Sequence, residues 1–376
     1  MKKFVFAFLL LCALCLGYVV FYDMTNKKAN DTAASVKIKK TVEQEKDINT
    51  QYKLGQMYYD GKDVPQDYAQ ALAWYTKAAN QGHMVAQYKL GQMYYEGKGV
   101  QGDFDQAFAW YLKAAEQGYA AAQYNLGRMH HMRGNIFQTL AWYTKAAEQG
   151  YVEAQDSLGQ MYYAGKDVPQ DYAQAVAWYM KAAEQGYPVS QLRLGRMYKH
   201  GDVVPQDDNK AIEWHIKSAE QGYADGQYSL GLMYDNGNGL PQDHKKAIEW
   251  YTKAAEQGFV MAQFNLGIKY FSGQEVPQDD KQAIYWWQKA AEQAYPDAYY
   301  FLGDMYANGR GVVQNNTVAY ILFNRAVRHG HEDAAQKLDN LRLTPTAISE
   351  AELIITQLDK TKDFAADLRK VLNSKK

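Results

Sequence analysis

The chain has 376 residues with 41 Lys+Arg against 42 Asp+Glu, and its net charge of -1 offers no bulk attraction to nucleic acid or to an anionic membrane. An apolar content of 47% excludes a disordered chain, and 2 cysteines exclude a disulfide-stapled scaffold. The excess is aromatic, with 32 Tyr and 8 Trp.

Met1, Lys2 and Lys3 precede an uncharged run from Phe4 to Tyr22, which as a helix would measure about 28 Å, the thickness of a membrane core. Residues 1–22 therefore read as a signal anchor or a signal peptide. Cleavage near Gly17 would leave Tyr18 to Tyr22 apolar and exposed, and lipid attachment to Cys15 is opposed by the bulky Leu14 before it. The anchor reading is preferred, with secretion after cleavage as its alternative. Positive charge ahead of the run and balanced charge behind it place the body on the non-cytoplasmic, periplasmic side of the envelope. Residues 23–49 are polar and charge-rich and read as a linker.

A Leu-Gly dipeptide then recurs with its glycine at 55, 91, 127, 159, 195, 231, 267 and 303, at spacings of 36 residues except for one of 32. Eight units follow, 50–85, 86–121, 122–153, 154–189, 190–225, 226–261, 262–297 and 298–333. In the second, Ala86, Leu90, Met93 and Tyr94 share one helix face and Ala107, Trp110, Tyr111 and Ala114 share another, predicting two amphipathic helices per unit. Asp103 stands where the second helix needs its N-cap, and Asp67, Asp171, Asp207, Asp243 and Asp279 recur there. A glycine inside the first helix costs about 1 kcal/mol, so its presence in all eight units points to close helix packing. The tryptophans, one per unit through Trp286 with Trp287 beside it, read as core rather than as a ligand platform.

The pattern Ala-x-x-x-Leu-Gly-x-x-Tyr, a loop, then Ala-x-x-Trp-Tyr-x-Lys-Ala-Ala-x-x-Gly resembles the Sel1-like repeat family across all eight units. Tetratricopeptide repeats place the second-helix alanine 12 residues after the glycine; Gly91 to Ala107 is 16. The third unit departs, since Gly127 to Thr139 is 12. The resemblance implies an all-α fold, a right-handed superhelical solenoid of αα-hairpins, here with an N-terminal membrane-length helix. Residues 334–376 follow as C-terminal capping helices, with Thr344-Pro345 opening one and Ile348, Ala351, Ile355 and Leu358 along its face.

Chemistry is thin. Exported relatives linked to β-lactams carry a cysteine pair in each repeat, and none stands here; no serine has a lysine three residues on. Neighbouring helical histidines such as His130 and His131 point about 100° apart and cannot grip one metal together. No cofactor, no metal and no catalytic residue is expected. On a helical wheel with Leu54 at zero, the positions of residues 52, 56 and 59 face away from the hairpin. In tetratricopeptide-like solenoids that side lines the concave groove, and the resemblance carries this over. The candidate peptide-binding residues are Tyr88, Gln92, Tyr95, Tyr124, Arg128, His131, Gln160, Tyr163, Arg196, Lys199, Leu232, Phe264, Ile268 and Phe271. They run from Tyr/Gln-rich through basic to apolar, suiting an extended segment with a carboxylate at Arg128 and Arg196 and an apolar side chain near Phe271. The expected function is a non-enzymatic envelope scaffold that binds a protein or peptide segment. A cell-wall or β-lactam hydrolase or binder, or a secreted factor acting on another cell, is the alternative.

Overall fold

The computed structural model describes residues 47–201, 203–274, 276–361 and 364–373. The expected membrane-length segment 4–22 lies outside the described residues, and most of the 23–49 linker lies there too. No helix among the described residues is long and apolar enough to cross a membrane.

Every regular element among the described residues is a helix. The eight hairpins are α1 (Ile48–Asp60) with α2 (Tyr68–Asn80), α3 (Met84–Glu96) with α4 (Phe104–Glu116), α5 (Ala120–Met132) with α6 (Ile136–Glu148), α7 (Val152–Ala164) with α8 (Tyr172–Glu184), α9 (Pro188–His200) with α10 (Asp208–Glu220), α11 (Ala224–Asn236) with α12 (His244–Glu256), α13 (Val260–Ser272) with α14 (Asp280–Glu292), and α15 (Pro296–Asn308) with α16 (Asn316–Arg328). Then come α17 (Ala334–Asn340), α18 (Pro345–Lys360) and α19 (Phe364–Asn373). The chain divides into two compact units, one ending at Ala154 and the other starting at Gln155. The division follows the short third hairpin, where Arg133 and Gly134 alone separate α5 from the Asn135 cap of α6.

The hairpin is set by its ends. The Asp103 carboxylate accepts from the Asp105 and Gln106 amides, capping α4, and Asp67, Asp171, Asp207, Asp243 and Asp279 do the same for their helices. Gly97 ends α3 at φ 69°, where a side chain would be strained, and its amide donates to the Met93 carbonyl.

The interior glycine faces the residue after the tryptophan, not the tryptophan: Gly55 lies on Tyr75, Gly91 on Tyr111, Gly159 on Tyr179 and Gly231 on Tyr251. In the fifth hairpin His215 takes that place, and in the last two Trp287 and Phe323 do. Trp110, Trp142, Trp214 and Trp286 instead join consecutive hairpins. Trp110 packs on the core of the hairpin before it, and Trp142 does likewise. A lysine one turn on roofs Trp74, Trp110, Trp142, Trp178, Trp214 and Trp250, with Nζ 3.9 Å from the Trp74 ring centre for Lys77 and 4.1 Å from Trp110 for Lys113.

A second inter-hairpin device escaped the sequence reading. Gln87, buried in α3, donates to the Ala79 carbonyl at 3.1 Å and accepts from Gln117 at 2.6 Å. Gln123 repeats it in the first unit with Ala115 and Gln149; Gln191, Gln227 and Gln263 repeat it in the second. Each ladder step ties the first helix of one hairpin to the second helix of the hairpin before it, with a buried amide fully engaged.

At the C-terminus Thr344 caps α18 and Pro345 occupies its first turn. Ala351, Ile355 and Leu358 pack on Ile321, while Ile348 stays exposed. Leu368 and Leu372 of α19 join the core of the last two hairpins, and the Tyr306 hydroxyl donates to the Leu372 carbonyl at 2.9 Å.

Candidate functional site

In the first unit, α3 and α5 present their outer faces to one concavity of about 270 Å³. Tyr88, Gln92 and Tyr95 reach it from α3, and Tyr124, Asn125, Arg128, Met129 and Met132 from α5; Glu96, Tyr111, Tyr151 and Glu153 complete it. Five of the sequence candidates (Tyr88, Gln92, Tyr95, Tyr124 and Arg128) therefore share one pocket. His131 is exposed on the same helix but is not part of the lining.

The wall is held by its own contacts. The Gln92 amide donates to the Tyr88 hydroxyl at 3.0 Å and the Asn125 amide reaches it at 3.4 Å. The Tyr88 ring leans on Tyr111 and Tyr119, and Tyr124 on Tyr143 and Tyr151, with ring centres 5.0 to 5.7 Å apart. Tyr88 and Tyr124 are thus half-buried rather than turned clear of the hairpin. A repeat helix is flanked by its own partner and by the next hairpin, and a wheel centred on one core sees only the first.

Charge in this pocket is mixed. Arg128 is exposed, lies 6.0 Å from the Tyr124 ring centre and forms no ion pair among the described residues. Glu153 likewise forms none, whereas Glu96 is paired with Lys98 at 2.7 Å. Burial raises the Tyr88 hydroxyl above its ordinary pKa, with Tyr119 and Glu153 adding to it; burial and Glu153 raise Tyr151. Burial also raises Tyr111, against a small opposing pull from Arg128. The phenols of Tyr88, Tyr111 and Tyr151 are therefore neutral at any physiological pH.

The candidates of the second unit do not assemble into a comparable site. Tyr163 and Arg196 line a smaller concavity of about 170 Å³ with Tyr179, Arg193, Met197, His200 and Val203. Arg196 already has a carboxylate, that of Asp225 at 2.7 Å, so it is not a vacant anion anchor. Lys199 lines a different concavity, formed with Gln206, Asp208, Ile212 and Asn238. Gln160 is exposed and lines none of these three.

The apolar candidates are spent on packing. Leu232 leans on the core around Tyr251 and Leu266, and Phe264, Ile268 and Phe271 lean on the core around Trp287. Arg310 covers Phe271 at 3.8 Å and donates to its carbonyl. These side chains are half-buried by their own chain, which corrects their reading as an open apolar floor; the next hairpin's Phe301 fills the space the wheel left empty.

Among the described residues no group of three or more His, Cys, Asp or Glu could hold a metal ion. His331 stacks on Tyr300 at 4.2 Å and lies 3.5 Å from the Asp297 carboxylate, contacts that tie α15 to the segment after α16.

Eight αα-hairpins joined by interior glycines, aspartate caps and glutamine steps define a helical repeat protein. The Sel1 repeat matches residues 48–83, 85–119, 120–151, 152–187, 188–223, 224–259, 260–295 and 296–331, and the chain belongs to the Sel1 repeat family. A Sel1 repeat protein from Oxalobacter formigenes is 32% identical over 82% of this chain and 90% of its own, with a TM-score of 0.61. The protective antigen c5321 of uropathogenic Escherichia coli, described as having an SLR fold, is 33% identical over 88% of this chain and 79% of its own, with a TM-score of 0.49. No match was found among curated proteins. Sel1 repeats as a class mediate protein–protein interaction and are generally non-enzymatic.

Proposed function

We propose that this protein is a non-enzymatic interaction scaffold of the cell envelope that holds a protein or peptide segment against its first unit. The observation that carries the reading is the convergence of Tyr88, Gln92, Tyr95, Tyr124 and Arg128 on one concavity. Tyrosine and arginine are the residue types that anchor interfaces, because they bring large contact area with few rotatable bonds and several donors. A neutral phenol, an amide and a guanidinium supply hydrogen bonds to a peptide's carbonyls and carboxylates without any nucleophile.

The envelope location rests on Lys2, Lys3 and the uncharged run from Phe4 to Tyr22, read as an anchor with the repeats on the periplasmic side. Of the candidates of the second unit, Gln160, Tyr163 and Arg196 are exposed, whereas Lys199, Leu232, Phe264, Ile268 and Phe271 are half-buried.

The test is site-specific photocrosslinking of the full chain in its native membrane. A benzoyl-phenylalanine at position 92 should give a discrete protein adduct, and one at the exposed position 184 should not. Absence of an adduct from position 92, with the protein folded, overturns the reading.

A further inference from the structure

The pocket of the first unit carries two opposite charges that do not satisfy each other. Arg128 on α5 and Glu153 at the start of α7 both line it, and neither forms an ion pair among the described residues. By contrast Arg196, which lines the concavity of about 170 Å³ in the second unit, is closed internally by Asp225. Tyr88, Tyr111, Tyr124 and Tyr151 line the same concavity. Glu153 acts electrostatically on both Tyr88 and Tyr151, and Arg128 on Tyr111, so both charges are felt along this tyrosine wall.

A purely acidic ligand would meet Arg128 and be repelled by Glu153; a purely basic one would meet the reverse. A ligand with one group of each sign satisfies both, and a concavity of about 270 Å³ suits a short segment. We propose that this pocket selects a dipolar peptide segment, one acidic group seated on Arg128 and one basic group on Glu153, with the intervening residue against the tyrosines. This rests on the scaffold reading and narrows it to a partner chemistry.

The probes are blocked peptides of the form Lys-(Ala)n-Glu and Glu-(Ala)n-Lys with n from 0 to 3, beside Glu-(Ala)n-Glu and Lys-(Ala)n-Lys. Binding to the purified full chain is measured by titration calorimetry, with thermal unfolding of every variant as the fold control. At least one dipolar peptide should bind tenfold or more tighter than both like-charged counterparts. Arg128→Gln and Glu153→Gln should each weaken it at least fivefold, and Glu153→Lys should shift the preference to the diacidic peptide.

Where peptides bind, three results overturn the inference. They are preference of the unaltered protein for a like-charged peptide, indifference to Glu153→Gln, or equal binding of free lysine or glutamate, which would mark a small-molecule site. Silence of all peptides while position 92 still crosslinks a protein overturns the dipolar inference and leaves the scaffold reading standing; loss of that crosslink is what removes the scaffold reading.

Discussion

Gly91 and Tyr111 are in van der Waals contact across the second hairpin, so close that a Cβ on Gly91 would stand 2.5 Å from Tyr111 Cδ1. Tyr111 is 3% exposed, so its ring has nowhere to go. Gly91→Ala should therefore cost about 2 kcal/mol net, overpacking outweighing a helix-propensity gain of about 1 kcal/mol. In the fifth hairpin the nearest atoms to a Cβ on Gly195 belong to His215 at 3.0 Å. The overlap is smaller there, and Gly195→Ala should come out within about 0.5 kcal/mol of neutral. Urea unfolding of the two variants checks the contrast; equal losses would contradict the packing account.

Gln87 is engaged on both sides, donating to the Ala79 carbonyl and accepting from Gln117. Gln87→Ala strands a buried carbonyl and opens a void, and should lose about 2 to 3 kcal/mol. Gln117→Ala removes the exposed end of the same pair and should lose less than about 1 kcal/mol. Denaturant midpoints of the two variants decide it, and a larger loss from the exposed partner would refute the ladder as a buried tie.

His215 stands where other hairpins have tyrosine, and burial, with Arg196, Lys199 and His200 nearby, pushes its imidazole down to about 4. In the unfolded chain it titrates near 6.5. As pH falls below about 6.5 the unfolded state gains a proton that the folded state refuses until about 4. Stability is therefore whole above that window and declines through it, on the order of 3 kcal/mol by its lower end. His215→Tyr installs the residue of Tyr179 and Tyr251, and its advantage over the unaltered protein should widen from pH 7 to pH 4.5. Parallel urea midpoints across that range would show that His215 is not the sensor.

Local signals carried the fold. The 36-residue recurrence of Leu-Gly, the aspartates before six of the eight second helices and the Thr344-Pro345 start are written in neighbouring residues, and short-range geometry obeys them. Contacts between hairpins were harder to read. Gln51, Gln87 and Gln123 look like surface residues one at a time, and only their recurrence at the repeat period, matched by Gln81, Gln117 and Gln149, could have revealed the ladder.

The same limit shaped the site. A single-helix wheel identified Tyr88, Gln92, Tyr95, Tyr124 and Arg128, which do share a pocket, but it could not see that Tyr151 and Glu153 would reach in from beyond the next hairpin. Nor could it see Phe301 and Arg310 closing over Phe264 and Phe271, or Asp225 closing on Arg196. Each of those contacts joins residues about 30 to 40 apart, one repeat away.

The central claim is that a partner segment lies against Arg128. Crosslink yield from position 92 in the full chain, compared with and without Arg128→Glu, tests it most directly. Arg128 is exposed and unpaired among the described residues, so its reversal should leave thermal unfolding unchanged. The account predicts an adduct that falls at least tenfold in yield when Arg128 becomes acidic. An adduct of undiminished yield in the reversed protein would contradict it.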